Sequence, residues 1–136
     1  MPTTKEDLQN LTLLGTHEMP TGTIEVFPNH AGNKMKIVLH CSEFTSLCPL
    51  TKQPDFAEID IEYLPDRWVA ETKSVKLFLE KYREVGIFYE HLAVDIGEKF
   101  IEFVQPIEVT ITTLFNSRGG IAVTAIYNHQ SNNVIS

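Results

Sequence analysis

Residues 57–63 alternate strictly between apolar and acidic side chains, and this alternation constrains the fold more than any other feature of the sequence. In an extended strand, Ala57, Ile59, Ile61 and Tyr63 share one face and the carboxylates share the other. Such a strand has one buried face and one solvated face. We therefore expect an antiparallel sheet that is covered on one side.

Other segments supply the partners of this strand. Helical spacing of apolar residues predicts helices over 71–83 and about 88–104, and shorter patterns predict strands at 23–27, 35–41, 107–112 and 121–127, with a turn at 116–120. The order strand, strand, helix, helix, hairpin indicates an α+β fold with both helices on one face of the sheet. Because an open sheet has two unpaired edges, a closed ring of subunits is an expected way to cover them.

The length of 136 residues fits a single domain, in which we interpret residues 1–33 as an N-terminal extension and 129–136 as a flexible tail. No segment approaches the about 18 consecutive apolar residues of a membrane helix, and the N-terminus lacks the pattern of a secretion signal, so we expect a cytoplasmic protein. The net charge of −7 disfavours binding to nucleic acid polymers.

The loop sequence FTSLCPLTKQPDF at 44–56 contains the most reactive pair of side chains. Cys48 precedes Asp55 by seven residues, and Pro49 and Pro54 stiffen the segment between them. A thiolate can attack an electrophilic carbon while a nearby carboxylic acid supplies a proton. The alternative is that Cys48 is a small buried side chain, as we expect for Cys41 within its strand. We interpret both as thiols, because one unpatterned pair does not indicate a disulfide.

Polar and charged residues near the two predicted helices have structural interpretations, and some of them also have functional ones. Glu90 can be a favourable partner of a helix N-terminus, or it can bind the paired N–H donors of a guanine-like ring. His91 beside it is interpreted as neither a base nor a ligand. Glu71 or Thr72 can simply cap a helix. Lys73, Lys76 and Arg118 can be ordinary surface cations, or they can contact the phosphate groups of a dinucleotide.

Two common classes of site leave no signature in the sequence. The five histidines are scattered, and neither CxxC nor HExxH is present, so no metal site is predicted. A glycine-rich dinucleotide fingerprint is also absent, so a nicotinamide cofactor would bind outside a Rossmann site.

Four motifs, FTSLCPLTKQPDFAEIDIEY (44–63), ETKSVKLF (71–78), FYE (88–90) and SRGGI (117–121), occur in an order that resembles the NADPH-dependent 7-cyano-7-deazaguanine reductases of queuosine biosynthesis, a tRNA modification pathway. The resemblance covers most of 35–128 and fits the short, single-domain form. It implies a tunnelling fold, in which sheets and helix pairs assemble into rings, with active sites at subunit interfaces.

The resemblance also implies roles for individual residues. Cys48 would attack the nitrile carbon of 7-cyano-7-deazaguanine to give a covalent thioimide, Asp55 would protonate the nitrogen, and two NADPH molecules would complete the reduction to 7-aminomethyl-7-deazaguanine. Substrate binding is implied for Ala70, Glu71, Thr72, Tyr89 and Glu90, and cofactor binding for Lys73, Lys76 and Arg118.

Two positions depart from the family pattern. Tyr89 stands where the family commonly has histidine, and Thr72 stands where serine is more usual. Two rival interpretations remain at this point. The first is a zinc-dependent enzyme similar to GTP cyclohydrolase, with Cys48 as a metal ligand. The second is a non-catalytic protein of the same fold that binds a purine or pterin.

Overall fold

The sheet predicted from residues 57–63 lies at the centre of the molecule. A computed structural model describes residues 2–11, 22–32 and 34–131, in which the elements are α1 (Lys5–Leu8), β1 (Val26–Pro28), β2 (Ile37–Leu47), β3 (Pro54–Leu64), β4 (Trp68–Ala70), α2 (Thr72–Glu80), a 3-10 helix (Lys81–Glu84), α3 (Tyr89–Val104), β5 (Glu108–Arg118) and β6 (Ile121–Gln130). Antiparallel pairing joins four strands in the order β2-β3-β5-β6, while β1 pairs with β4. The α+β class is therefore confirmed.

β3 has the predicted two faces. Ala57, Ile59, Ile61 and Tyr63 are buried, whereas the acidic residues between them are exposed or half-buried. Ile59 lies opposite Cys41 on β2 and opposite Thr113 on β5, so β3 is held on both sides by neighbouring strands. The buried alternation therefore sets the register of the whole sheet.

Both helices pack on the buried face, as predicted. Their apolar stripes join the β3 side chains in one core, to which α2 contributes Val75, Phe78 and Leu79 and α3 contributes Leu92, Ala93, Ile96 and Phe100. The Phe100 and Tyr63 rings meet edge to face, with centroids 4.9 Å apart. Gly97 brings α3 close to the sheet, because a Cβ at this position would lie 2.3 Å from Cδ2 of Tyr127.

Several strand boundaries, and the burial of Cys41, differ from the sequence prediction. β5 and β6 run to Arg118 and Gln130, beyond the predicted 107–112 and 121–127. β2 runs to Leu47 instead of ending at residue 41, because a β-bulge between Cys41 and Phe44 shifts the alternation and disguises the continuing strand. Asp55 consequently lies at the start of β3 and not in the loop. Cys41 is half-buried beside the core and not part of its interior.

The N-terminal segment also contributes more than an extension. Ile24 is buried in the core, and Val26 pairs with Ala70 on β4, a three-residue strand that the sequence analysis did not predict. At the other end, His129 and Gln130 are paired in β6 and are not part of a flexible tail; residues 132–136 lie outside the described part of the chain. Within the described segments, no helix has the length and apolar character needed to cross a bilayer.

Candidate active site

The loop between β2 and β3 holds Cys48 in a closed turn. The Cys48 N–H donates to the Gln53 carbonyl at 2.9 Å, and the Lys52 N–H donates to the Cys48 carbonyl at 3.0 Å. Lys52 has a φ of 61°, which reverses the chain direction within this short span. These backbone contacts fix the position from which the thiol side chain extends.

A second segment, residues 85–87, is hydrogen-bonded to Leu47, the residue that precedes the loop. The Leu47 N–H donates to the Val85 carbonyl at 3.0 Å, and the Ile87 N–H donates to the Leu47 carbonyl at 3.0 Å. Gly86, between Val85 and Ile87, lies close to the loop, because a Cβ added there would be 3.1 Å from Pro49 Cα. The residue before Cys48 is thus tied to the segment that leads into α3.

The surroundings of Cys48 favour its thiolate. A hydrogen bond from the Thr51 side chain is the largest cause that lowers the pKa of Cys48, and the backbone N–H groups of Thr51 and Leu50 act in the same direction. Burial and the Asp55 charge oppose them only in part. Cys48 is half-buried, so the activated sulfur remains accessible. The sequence analysis missed Thr51, whose signal is a hydroxyl three residues after the thiol in a proline-containing turn.

Asp55 lies beyond the loop at the start of β3 and is only 4% exposed. One of its oxygens, Oδ1, accepts a hydrogen bond from the Tyr89 hydroxyl at 2.9 Å and lies 2.9 Å from Nη2 of Arg118. The same Arg118 nitrogen donates to the Pro54 carbonyl at 3.0 Å. Among the described residues, both observed partners of the carboxylate contact Oδ1 and none donates to Oδ2.

Tyr89 reaches Asp55 from the first turn of α3. Its ring stacks on Phe115 of β5, with centroids 4.1 Å apart and planes inclined by 22°. Burial, followed by the hydrogen bond to Asp55, raises the pKa of Tyr89, so the phenol keeps its proton. The next residue, Glu90, is exposed in the same turn, and His91 is also exposed.

Ser46 is a second residue that the sequence analysis missed. It lies directly opposite Asp55 in the β2–β3 ladder and is fully buried. Its hydroxyl has no hydrogen-bond partner among the described residues. The signal for its burial was its position two residues after Phe44 on the same face of β2.

The remaining predicted site residues form a separate group where β4 leads into α2. Glu71 is buried and caps α2: Oε1 accepts from the Ser74 N–H at 2.8 Å, and Oε2 accepts from the Lys73 N–H at 2.9 Å. The Ala70 N–H donates to the Tyr63 hydroxyl oxygen at 3.0 Å. Thr72 and Lys76 line a groove between α2 and the edge strand β2. The capping interpretation of Glu71 is therefore confirmed.

Tyr89 and Arg118 both contact Asp55, which lies seven residues after Cys48 at the far side of the loop. No hydrogen bond or ion pair in the described segments connects these residues to the group at residues 70–76. The described residues also contain no cluster of three or more metal-binding side chains.

Comparisons with known proteins point to one family. The family model described as QueF-like protein matches residues 54–134. An NADPH-dependent 7-cyano-7-deazaguanine reductase from Streptococcus thermophilus is 43% identical over 132 residues, covering 92% of this chain and 81% of that protein. A protein of the same name from Frankia casuarinae is 46% identical over 116 residues, covering 85% of this chain and 92% of that protein. The crystal structure of the archaeosine synthase QueF-Like in the apo form has a TM-score of 0.64 and 30% identity, and covers 68% of this chain and 91% of that chain.

Proposed function

This chain belongs to the QueF family, and we propose that it is an NADPH-dependent reductase that converts the nitrile of 7-cyano-7-deazaguanine to a primary amine. The observation that carries the proposal is the pairing of an activated, accessible Cys48 with a buried Asp55 across one loop. Relatives with the reductase name are 43% and 46% identical, whereas the synthase structure is 30% identical, which favours reduction over the synthase activity.

The first step would use these two side chains alone. The Cys48 sulfur would attack the nitrile carbon, forming a C–S bond as one of the C≡N π bonds breaks. The thiol proton would pass through the Asp55 carboxylate to the nitrogen, so the product is a neutral thioimide and Asp55 returns to its initial state. Asp55 Oδ2 suits this transfer, because both observed partners of the carboxylate contact Oδ1.

The cation set fits a phosphate-bearing cofactor. Lys76 is exposed and Lys73 half-buried, and neither has an ion-pair partner among the described residues; Arg118 is exposed at the β5–β6 turn. Bound NADPH would supply hydride, twice for each nitrile reduced to an amine. We assign Arg118, Lys73 and Lys76 to its phosphate groups.

Glu90 and the segment 70–72 would bind the deazaguanine ring. The exposed Glu90 carboxylate can accept two N–H bonds from the ring. Glu71 already uses both oxygens to cap α2, so its contribution would come from the lone pairs that remain on those oxygens.

The described segments show no hydrogen bond or ion pair between the two groups, which fits a site shared between copies of the chain. We propose that residues 70–76 of one copy complete the Cys48 site of its neighbour, in a ring assembly of the tunnelling type. β2 and β6 are the outer strands of the sheet, and each has one edge without a strand partner in the described segments, which would allow pairing between copies.

A turnover assay tests the function. The protein is mixed with 7-cyano-7-deazaguanine and NADPH, and NADPH oxidation is compared with the amount of amine formed. We expect two NADPH oxidised for each amine, no turnover in Cys48→Ala, and near-normal turnover in Cys41→Ala, the matched thiol control. Consumption of the nitrile without formation of the amine would contradict the proposal, and so would turnover by Cys48→Ala.

A further inference from the structure

We propose that Tyr89 is the positioning residue of Asp55: its hydroxyl holds the carboxyl by Oδ1 and leaves Oδ2 to serve the substrate nitrogen. This inference rests on the proposed function. It changes the role of Tyr89, which the family resemblance implied was a substrate-binding residue. The contact that carries it is the 2.9 Å hydrogen bond from the phenol to Asp55 Oδ1.

The Tyr89 ring packs against β5, the strand that pairs with β3, which carries Asp55. It stacks on Phe115, which is buried and lies opposite Ala57 in the β3–β5 ladder. Ala57 is two residues beyond Asp55 on the same face of β3. A phenol fixed in this way holds the carboxyl through a rigid aromatic contact, and not through a flexible side chain.

Tyr89 and Arg118, the two partners of Asp55 Oδ1, differ in exposure and charge, and we assign them different roles. Arg118 is exposed, charged and followed by two glycines, so its guanidinium can turn to an anionic ligand. Tyr89 is half-buried and neutral, and its hydroxyl has a single proton, which is directed at Asp55. Tyr89 therefore keeps Asp55 oriented even when Arg118 binds another group.

A histidine side chain can donate one ring N–H to a carboxylate, so histidine at position 89 offers a donor that corresponds to the Tyr89 hydroxyl.

Two variants and a control test the inference. Tyr89→Phe removes only the hydroxyl and keeps the ring stacked on Phe115, and Tyr89→His restores a donor. Tyr82→Phe is the matched control, because the Tyr82 hydroxyl donates to the Asp95 carboxylate away from the loop. Each is measured for kcat, for KM with 7-cyano-7-deazaguanine, for the rate of covalent adduct formation without NADPH, and for its thermal unfolding.

We expect Tyr89→Phe to lower kcat and the adduct rate by about 10- to 100-fold, the effect of one lost charge-assisted hydrogen bond, with KM nearly unchanged. Tyr89→His should recover part of this loss, and Tyr82→Phe should keep the wild-type kcat, KM and adduct rate. A raised KM with unchanged kcat would make Tyr89 a substrate contact and overturn the inference, as would an unaffected Tyr89→Phe. Wild-type protein without adduct or turnover would instead refute the proposed function, and the inference with it.

Discussion

Arg118 Nη2 lies 2.9 Å from Asp55 Oδ1 and joins the β5–β6 turn to the strand that follows the Cys48 loop. Because Tyr89 contacts the same oxygen, the carboxylate keeps one partner if Arg118 is removed. We predict that Arg118→Ala raises the KM for NADPH by about tenfold or more, the effect of losing a charged contact to phosphate, with a smaller effect on adduct formation without NADPH. Loss of the adduct with an unchanged KM for NADPH would contradict the assignment.

Thr51 is predicted to control the pH at which Cys48 reacts. Because its hydroxyl lowers the pKa of Cys48, the thiolate persists below the ordinary thiol value of about 8.5, and reactivity is lost as the pH falls through the lowered pKa. Alkylation is measured against pH in a Cys41→Ala background, so that only Cys48 reports. Thr51→Val should move the midpoint to higher pH, and Thr51→Ser, which keeps the hydroxyl, should not. Equal midpoints in both variants would remove Thr51 from this role.

Gly97 is predicted to be required for the packing of α3. Alanine favours a helix by about 1 kcal/mol over glycine, but its Cβ would lie 2.3 Å from the Tyr127 ring. The clash with the Tyr127 ring should outweigh the helix preference of alanine. Gly97→Ala is therefore expected to lower the free energy of unfolding by about 1–3 kcal/mol in urea titrations. Glu98→Ala, at an exposed neighbouring position, should be near neutral. Adding Tyr127→Leu should relieve part of the Gly97→Ala loss. A Gly97→Ala variant at least as stable as wild type would contradict the packing argument.

A mixing experiment tests whether one site uses two chains. Cys48→Ala and Glu71→Gln are each expected to have low activity, and Gln can still accept one capping hydrogen bond. After co-expression in equal amounts, about a quarter of the interfaces would combine an intact Cys48 with an intact Glu71 from another chain, giving about a quarter of wild-type activity. Activity that stays at the average of the two variants would place both groups in one chain.

Periodic segments made most of the fold predictable. The buried alternation of β3 and the apolar stripes of α2 and α3 are local signals, and the corresponding elements formed where they were expected. β4 has three residues and depends on pairing with β1, which lies about forty residues earlier in the chain, so no local pattern reveals it. The continuation of β2 was hidden by its bulge, since an extra residue interrupts the alternation.

The sequence proposes the reactive residues of the candidate site but not the partners that the fold gives them. Cys48 and Asp55 stood out by chemistry and spacing, and the family resemblance gave them roles. Thr51 and Ser46 were missed, because hydroxyl residues are common in turns and strands. The contact of Thr51 with Cys48 and the burial of Ser46 both depend on the folded chain. The hydrogen bond between Tyr89 and Asp55 joins residues 34 positions apart, which a single sequence does not reveal.

The covalent role of Cys48 is tested most directly by the mass of the intact protein after mixing with 7-cyano-7-deazaguanine in the absence of NADPH. Wild-type protein and Cys41→Ala should each gain the mass of one substrate, peptide mapping should locate it on Cys48, and Cys48→Ala should gain nothing. An unmodified wild-type protein, or an adduct on a residue other than Cys48, would contradict the proposed mechanism.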